Sequence, residues 1–237
     1  MTKTEVMKLL GENRNERGVA HWERLAAKAG PNVAKLKSFG IGLTQLRKLA
    51  KKVGRDARLA KVLWRSDVYD AKILGLLIDD PKQMTREQAE EQVDQLEGGQ
   101  FAHVFASCDA TLAKAPFAFD LAVEWMDTGD EPRKRAGCGL LYELSKKKAK
   151  TLTDEFFLER IDRIEKTIHG EPMWVRESMM VALFGIGKRN LVLNRAAIKA
   201  VKAIGPVDID YGDDNRCEPL DVLKHLTSDY MKKKLQG

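Results

Sequence analysis

Three consecutive cations, Arg133, Lys134 and Arg135, directly follow Pro132. Proline ahead of an apolar periodic run marks a helix start, because its missing amide hydrogen costs nothing there. Cations at such a start join the positive end of a helix dipole, and the two together suit a phosphate. Arg176 holds the equivalent place after Pro172, with Glu177 beside it. Lys188, Arg189, Arg195, Lys199 and Lys202 follow, with no acid between Lys188 and Lys202. Arg195, Lys199 and Lys202 fall at i, i+4 and i+7, one face of a helix. Each group has a second, plainer reading. Arg133 to Arg135 bind phosphate or merely face solvent. Arg176 binds phosphate or is neutralised by Glu177. The later stripe is a phosphate track or a solvated face. The run Lys146-Lys147-Lys148 reads more readily as compensation of a helix C-terminal dipole than as a clamp.

Other chemistry is poorly provided for. Phe101 and Phe105 lie one turn apart near Val104 and Leu112, so they read first as core and only second as a base-stacking surface. Trp125 reads as core. Trp174, beside the helix start at Pro172, is core or a rim ring that could lie against a sugar. The three cysteines (Cys108, Cys138, Cys217) and four histidines (His21, His103, His169, His225) show no metal-ligand or disulfide spacing. No metal and no cofactor is expected.

The elements that would position these residues are helical and repeated. Asp67-Val68-Tyr69-Asp70-Ala71-Lys72-Ile73-Leu74-Gly75-Leu76-Leu77 is echoed by Glu131-Pro132-Arg133-Lys134-Arg135-Ala136-Gly137-Cys138-Gly139-Leu140-Leu141. A third version is Glu171-Pro172-Met173-Trp174-Val175-Arg176-Glu177-Ser178-Met179-Met180-Val181. Each carries polar residues through a first turn and runs into an apolar, small-residue helix. Such units cannot bury their faces alone and must stack. Periodicity and punctuation predict helices near 4–12, 17–29, 43–53, 57–65, 68–79, 85–96, 101–113, 116–128, 132–147, 153–168, 172–186, 190–204 and 218–234. Thr85 with Gln88 reads as a capping box. Only Val207-Asp208-Ile209 hints at an extended piece. Two helices per ~40 residues is a HEAT-like period. The expected fold is all-α, a HEAT-like repeat superhelix forming one domain over 36–237, with 1–35 as an N-terminal helical cap.

Charge alternates in blocks along the 237 residues, within a net charge of +6. Pro31 to Arg65 holds ten bases and one acid, and Arg133 to Lys150 seven bases and one acid. The segments Ser66 to Gln100 and Gly205 to Asp221 are acidic, with nine and six carboxylates. Stacked helices could gather the basic blocks into one cradle for a polyanion. The longest apolar run is well short of the ~18 residues of a membrane helix, and residues 1–10 lack a signal-peptide core. A cytoplasmic monomer without membrane contact is expected.

Four stretches carry a resemblance. They are Ser38-Phe39-Gly40-Ile41-Gly42-Leu43-Thr44-Gln45-Leu46-Arg47-Lys48-Leu49, Ala115-Pro116-Phe117-Ala118-Phe119-Asp120-Leu121-Ala122-Val123-Glu124-Trp125, the segment Arg133 to Leu141, and Asp210-Tyr211-Gly212-Asp213-Asp214-Asn215-Arg216-Cys217-Glu218-Pro219. In this order the chain resembles the AlkD-like DNA alkylation repair proteins, over Leu36 to Leu226. The resemblance implies HEAT-like repeats around duplex DNA, alkylated in the substrates of active members. Those members are monofunctional glycosylases that remove N3- and N7-alkylated purines without metal or cofactor. A carboxylate there stabilises the oxocarbenium-like sugar and positions water.

The family pattern is an aromatic-x-x-x-Asp helix, an Arg on a later helix and a Trp beyond. With Pro116-Phe117-Ala118 setting the register, the aromatic falls on Phe101 and the carboxylate on Phe105. The arginine falls on Arg135 and the tryptophan on Val181. A phenyl ring cannot stabilise a cationic sugar as an anion does, so glycosylase activity is expected to be weakened or absent. A one-turn slip would place Asp109 four residues after Phe105 and restore the motif. Three functions stay open: backbone-directed binding of duplex DNA, an active alkylpurine glycosylase using Asp109 or another acid such as Glu177, and a protein–protein scaffold.

Overall fold

Polar side chains open most of the helices. The computed structural model describes residues 1–27, 30–96, 101–211 and 218–236. Thr2 opens α1 (Lys3–Glu12) through a capping box with Glu5. Asn15 caps α2 (Glu16–Ala26), and a short α3 (Pro31–Ala34) follows. Next come α4 (Leu43–Val53), α5 (Ala57–Trp64), capped by Asp56, and α6 (Tyr69–Ile78). Thr85 caps α7 (Arg86–Val93) by accepting from the Gln88 amide, but the Gln88 side chain donates to Asp79 at 2.6 Å, so only half of the expected box forms.

Then follow α8 (Phe101–Ala106), α9 (Ala118–Met126) and α10 (Glu131–Ser145), the last capped by Asp130. Thr153 caps α11 (Asp154–Thr167), Pro172 precedes α12 (Met173–Ile186), and Asn190 caps α13 (Leu191–Ile204). The described chain closes with α14 (Val222–Leu226) and α15 (Asp229–Gln236).

Two expected helices are broken. The stretch 101–113 stops at Ala106, because Cys108 (φ 59°) and Asp109 (φ 64°) adopt the left-handed conformation that ends a right-handed helix. A 3-10 turn, Leu112–Lys114, follows. The stretch 218–234 divides at Thr227 and Ser228, where the Ser228 hydroxyl accepts from the Met231 amide and restarts the chain as a cap does. The Val207–Ile209 hint yields no strand. Among the described residues the only β pairing is a single bridge between Lys37 and Val68. The end of the helix read to residue 29 and Gly212 to Cys217 of the fourth resembling stretch lie outside the described residues.

Contacts cluster in two compact units, Met1–Ala118 and Phe119–Gly237. In the first, α6 packs against α4, α5 and α8. Gly75 is required there, because a Cβ would stand 2.9 Å from the Ala60 carbonyl oxygen of α5. Asp70, fully buried on α6, accepts from Ser38 Oγ (2.8 Å), the Phe39 amide (2.7 Å) and the Ile41 amide (2.9 Å). One carboxylate thus ties the 38–41 loop to the core. In the second unit, α10 packs on α12 and α11 on α13, two helix pairs joined through α12. The three look-alike stretches therefore become the opening turns of α6, α10 and α12.

Candidate nucleic-acid interface

Helices α10 and α12 lie side by side and run in the same direction. Near their starts Lys134 bonds Glu171 at 2.8 Å; near their ends Gly185 sits where a Cβ would meet Ser145 and Tyr142 at 2.6 Å. Leu140, Leu141, Val175, Leu183 and Ile186 are all completely buried, and each contributes about 1.5–3 kcal/mol by leaving water. That packing holds the two first turns together.

On this frame the Arg135 guanidinium lies 4.5 Å above the Trp174 ring, and Trp174 stacks on Tyr211 at 5.7 Å with the rings 22° apart. Glu177, one turn after Trp174, receives weak hydrogen bonds from Tyr211 (3.5 Å) and Ser178 (3.3 Å). Burial pushes the Glu177 carboxyl above its ordinary value, against the pull of Arg135. Burial likewise lowers the pKa of Arg135, while Glu177 and then Glu131 favour its charge. Arg135 donates no hydrogen bond to any described residue. A half-buried guanidinium has five N–H donors, and leaving them unmade is costly. An anion arriving on its open side would take them, with the ring beneath as a platform.

The other expected cations divide. Arg133 turns back to its own cap, Asp130, at 3.3 Å. Lys134 is matched by Glu171, both only about a sixth exposed at 16% and 14%. Arg176 reaches Asp208 at 4.0 Å, and its Nε is buried without a partner. Arg189 is spent on structure: it donates to the carbonyls of Ser145, Lys147 and Leu152 and lies over the Phe157 ring. Arg195, Lys199 and Lys202 are exposed on α13, opposite the buried face (Leu193, Ala197, Ala200, Val201) that packs on α11 and α12. They point away from α12, so the expectation that these basic blocks converge is not met at α13. Helix amphipathicity demands this outcome, since the apolar stripe must face the neighbours. Lys188 lies over the Phe184 ring at 4.5 Å.

The residues read from the family register are also placed. Phe101 and Phe105 are core, each 1% exposed, with the Phe101 ring 4.6 Å from Tyr69 and 5.7 Å from Trp64. Asp109 is exposed in the left-handed turn, where Lys114 donates to its backbone carbonyl at 3.2 Å. It is not on a helix one turn beyond Phe105, so the slipped motif does not form. Val181 is half-buried one turn after Glu177. The tryptophan that reaches Arg135 is Trp174, about two turns earlier on α12. Tyr211, from the segment after α13, stands in the fourth resembling stretch but was not among the candidate site residues, because no periodic signal marks a loop residue. Cys138 is inert: burial pushes its thiol up to about 12.

The model of the DNA alkylation repair enzyme family matches residues 6–214, most of the chain. The chain belongs to that family. In structure it is similar to a member of "a new family of proteins related to the HEAT-like repeat DNA glycosylases with affinity for branched DNA structures", with a TM-score of 0.82 and 22% identity, over 99% of this chain and 96% of that one. The fold is accordingly all-α with HEAT-like repeats. Among curated proteins, none matches. No described helix is long and apolar enough to cross a membrane.

Proposed function

We propose that the chain binds duplex DNA, alkylated or not, through the sugar–phosphate backbone, and that Arg135 on its Trp174 platform is a principal contact. One observation carries this reading: a desolvated guanidinium at a helix start, backed by an aromatic ring, with its donors unspent on the described protein. Membership in a DNA repair family supplies the anion. The contact surface is narrower than the charge blocks suggested. It uses the α10/α12 pair rather than the exposed stripe on α13. A protein–protein scaffold would have no need of an arginine left in this state. The test is a salt titration of duplex affinity with the parent chain and Arg135→Ala. The variant is expected to bind about tenfold more weakly across sequences, with a shallower salt dependence. Equal affinity and equal slope would end the proposal.

The buried Phe105 side chain supports the absence of catalysis through the family's carboxylate position. A second reading keeps an enzyme alive through Glu177. Its carboxyl is half-buried, raised by burial, and shares a helix face with Trp174 and Val181. When ionised it could stabilise a cationic sugar as the N-glycosidic bond breaks and the neutral base leaves with the bond's electron pair. Release of methylated purines from alkylated DNA by the parent, lost in Glu177→Gln, would support this. No release above background removes it.

A further inference from the structure

At the far ends of α10 and α12 lies a cavity of about 480 Å³ whose lining holds Lys146, Lys147, Lys148, Lys188, Lys234 and Arg189 and no carboxylate. Three elements converge to make it: the turn after α10, the turn after α12, and α15, which brings Lys234. Cations after a helix end commonly offset its dipole and satisfy its last carbonyls. Here Arg189 already does that for Ser145 and Lys147, at 2.5 and 2.8 Å. Lys146 pairs with buried Glu143 at 2.8 Å and lies over the Tyr142 ring at 4.3 Å. Lys148, Lys188 and Lys234 have no carboxylate within ion-pair distance among the described residues. The charge of Lys188 is disfavoured by burial and then by Lys234 and Lys146. Like charges held together with no carboxylate among them repel, and an anion between them relieves the repulsion.

We infer that this lysine-lined cavity is a second phosphate-binding site, taking the phosphodiester backbone of the same DNA that meets Arg135. The inference rests on the proposed DNA-binding reading. Trp174 and Lys188 stand 14 residues apart along and just beyond α12, about 20 Å at 1.5 Å per residue, or roughly six base pairs of duplex. Three cations on α10, α12 and the turns after them are each backed by a ring: Arg135 by Trp174, Lys146 by Tyr142 and Lys188 by Phe184. Lysines act as point charges here, so the site reads charge and not sequence.

The test is anisotropy of a labelled duplex with the full chain across a salt series. Lys148→Ala/Lys188→Ala/Lys234→Ala is expected to make the slope of log affinity against log salt shallower by about 2 to 3. Circular dichroism checks that the helices persist. Lys148→Glu/Lys234→Glu changes exposed positions alone and is expected to weaken binding further than Lys148→Ala/Lys234→Ala. An unchanged slope in a folded variant overturns the inference. Inorganic tripolyphosphate distinguishes a free phosphate ligand: if it binds the parent tightly, is lost in the lysine variants, and the duplex slope stays constant, the site is not a DNA contact. If Arg135→Ala weakens duplex binding and the lysine variants do not, this inference alone fails. If the parent binds no duplex at low salt, the underlying reading fails first.

Discussion

Arg135 and Trp174, 39 positions apart in sequence, meet with the guanidinium 4.5 Å over the indole ring. Two parallel helices bring their first turns together, and the ring occupies one face of a cation whose other face is left for a ligand. Replacing the platform should therefore hurt binding without removing the charge. Trp174→Leu is expected to weaken duplex affinity about five- to tenfold, the scale of a partly desolvated cation–π contact. Arg135→Lys should fall between parent and Arg135→Ala, since an ammonium cannot lie flat on a ring and donate in its plane. Anisotropy titrations at one salt concentration decide both.

Glu177 should titrate above the ordinary 4.5, because burial outweighs the attraction of Arg135. Its carboxyl resonance in an NMR pH series is the direct check, and Arg135→Met should move it higher still. An acid with a raised folded-state pKa binds its proton more tightly when folded. Its stabilising contribution is present below about 4.5 and is lost as pH rises through the raised value. Urea denaturation across that window should show stability falling with pH in the parent, with this component absent in Glu177→Gln. A Glu177 titrating at or below 4.5 contradicts the description of the site.

Restoring the family carboxylate at its aligned place should not restore an enzyme. Phe105→Asp removes a fully buried ring and leaves an unpaired charge in a core, at a cost of about 4 kcal/mol or more. The expected outcome is a lower melting temperature and no release of alkylated purine. A stable variant that excises base would show that Phe105 lies over a usable site.

Asp70→Ala should be among the most damaging single changes in the first unit. It removes one acceptor from three donors at 2.7 to 2.9 Å, two of them backbone amides. Bonds to a charged acceptor and the orphaned amides together predict a loss of about 3 kcal/mol, read by chemical denaturation. Asp70→Asn, which keeps an acceptor oxygen, should recover part of it.

Most helices were legible because their signals are local: an apolar stripe, a capping side chain, a proline at the start. The breaks at Cys108-Asp109 and Thr227-Ser228 were not, since the apolar period continues through both and only the backbone conformation or a serine cap interrupts it. The candidate site was half legible. Arg135 stood out as a cation at a helix start, but which of its neighbours would be neutralised depended on Asp130 and Glu171, contacts that no periodicity encodes. Arg189 resembled its basic neighbours in sequence and differs only in where its guanidinium points. The lysine run after α10 was read as dipole compensation, because its partners Lys188 and Lys234 come from turns and a helix far along the chain.

Arg135 is proposed to spend its unmade hydrogen bonds on a DNA phosphate. The most direct test is the salt slope of duplex binding, parent against Arg135→Ala. A slope shallower by about 1 in the variant, with affinity reduced alike on unrelated sequences, is the predicted result. Superimposable titrations for the two proteins would contradict it.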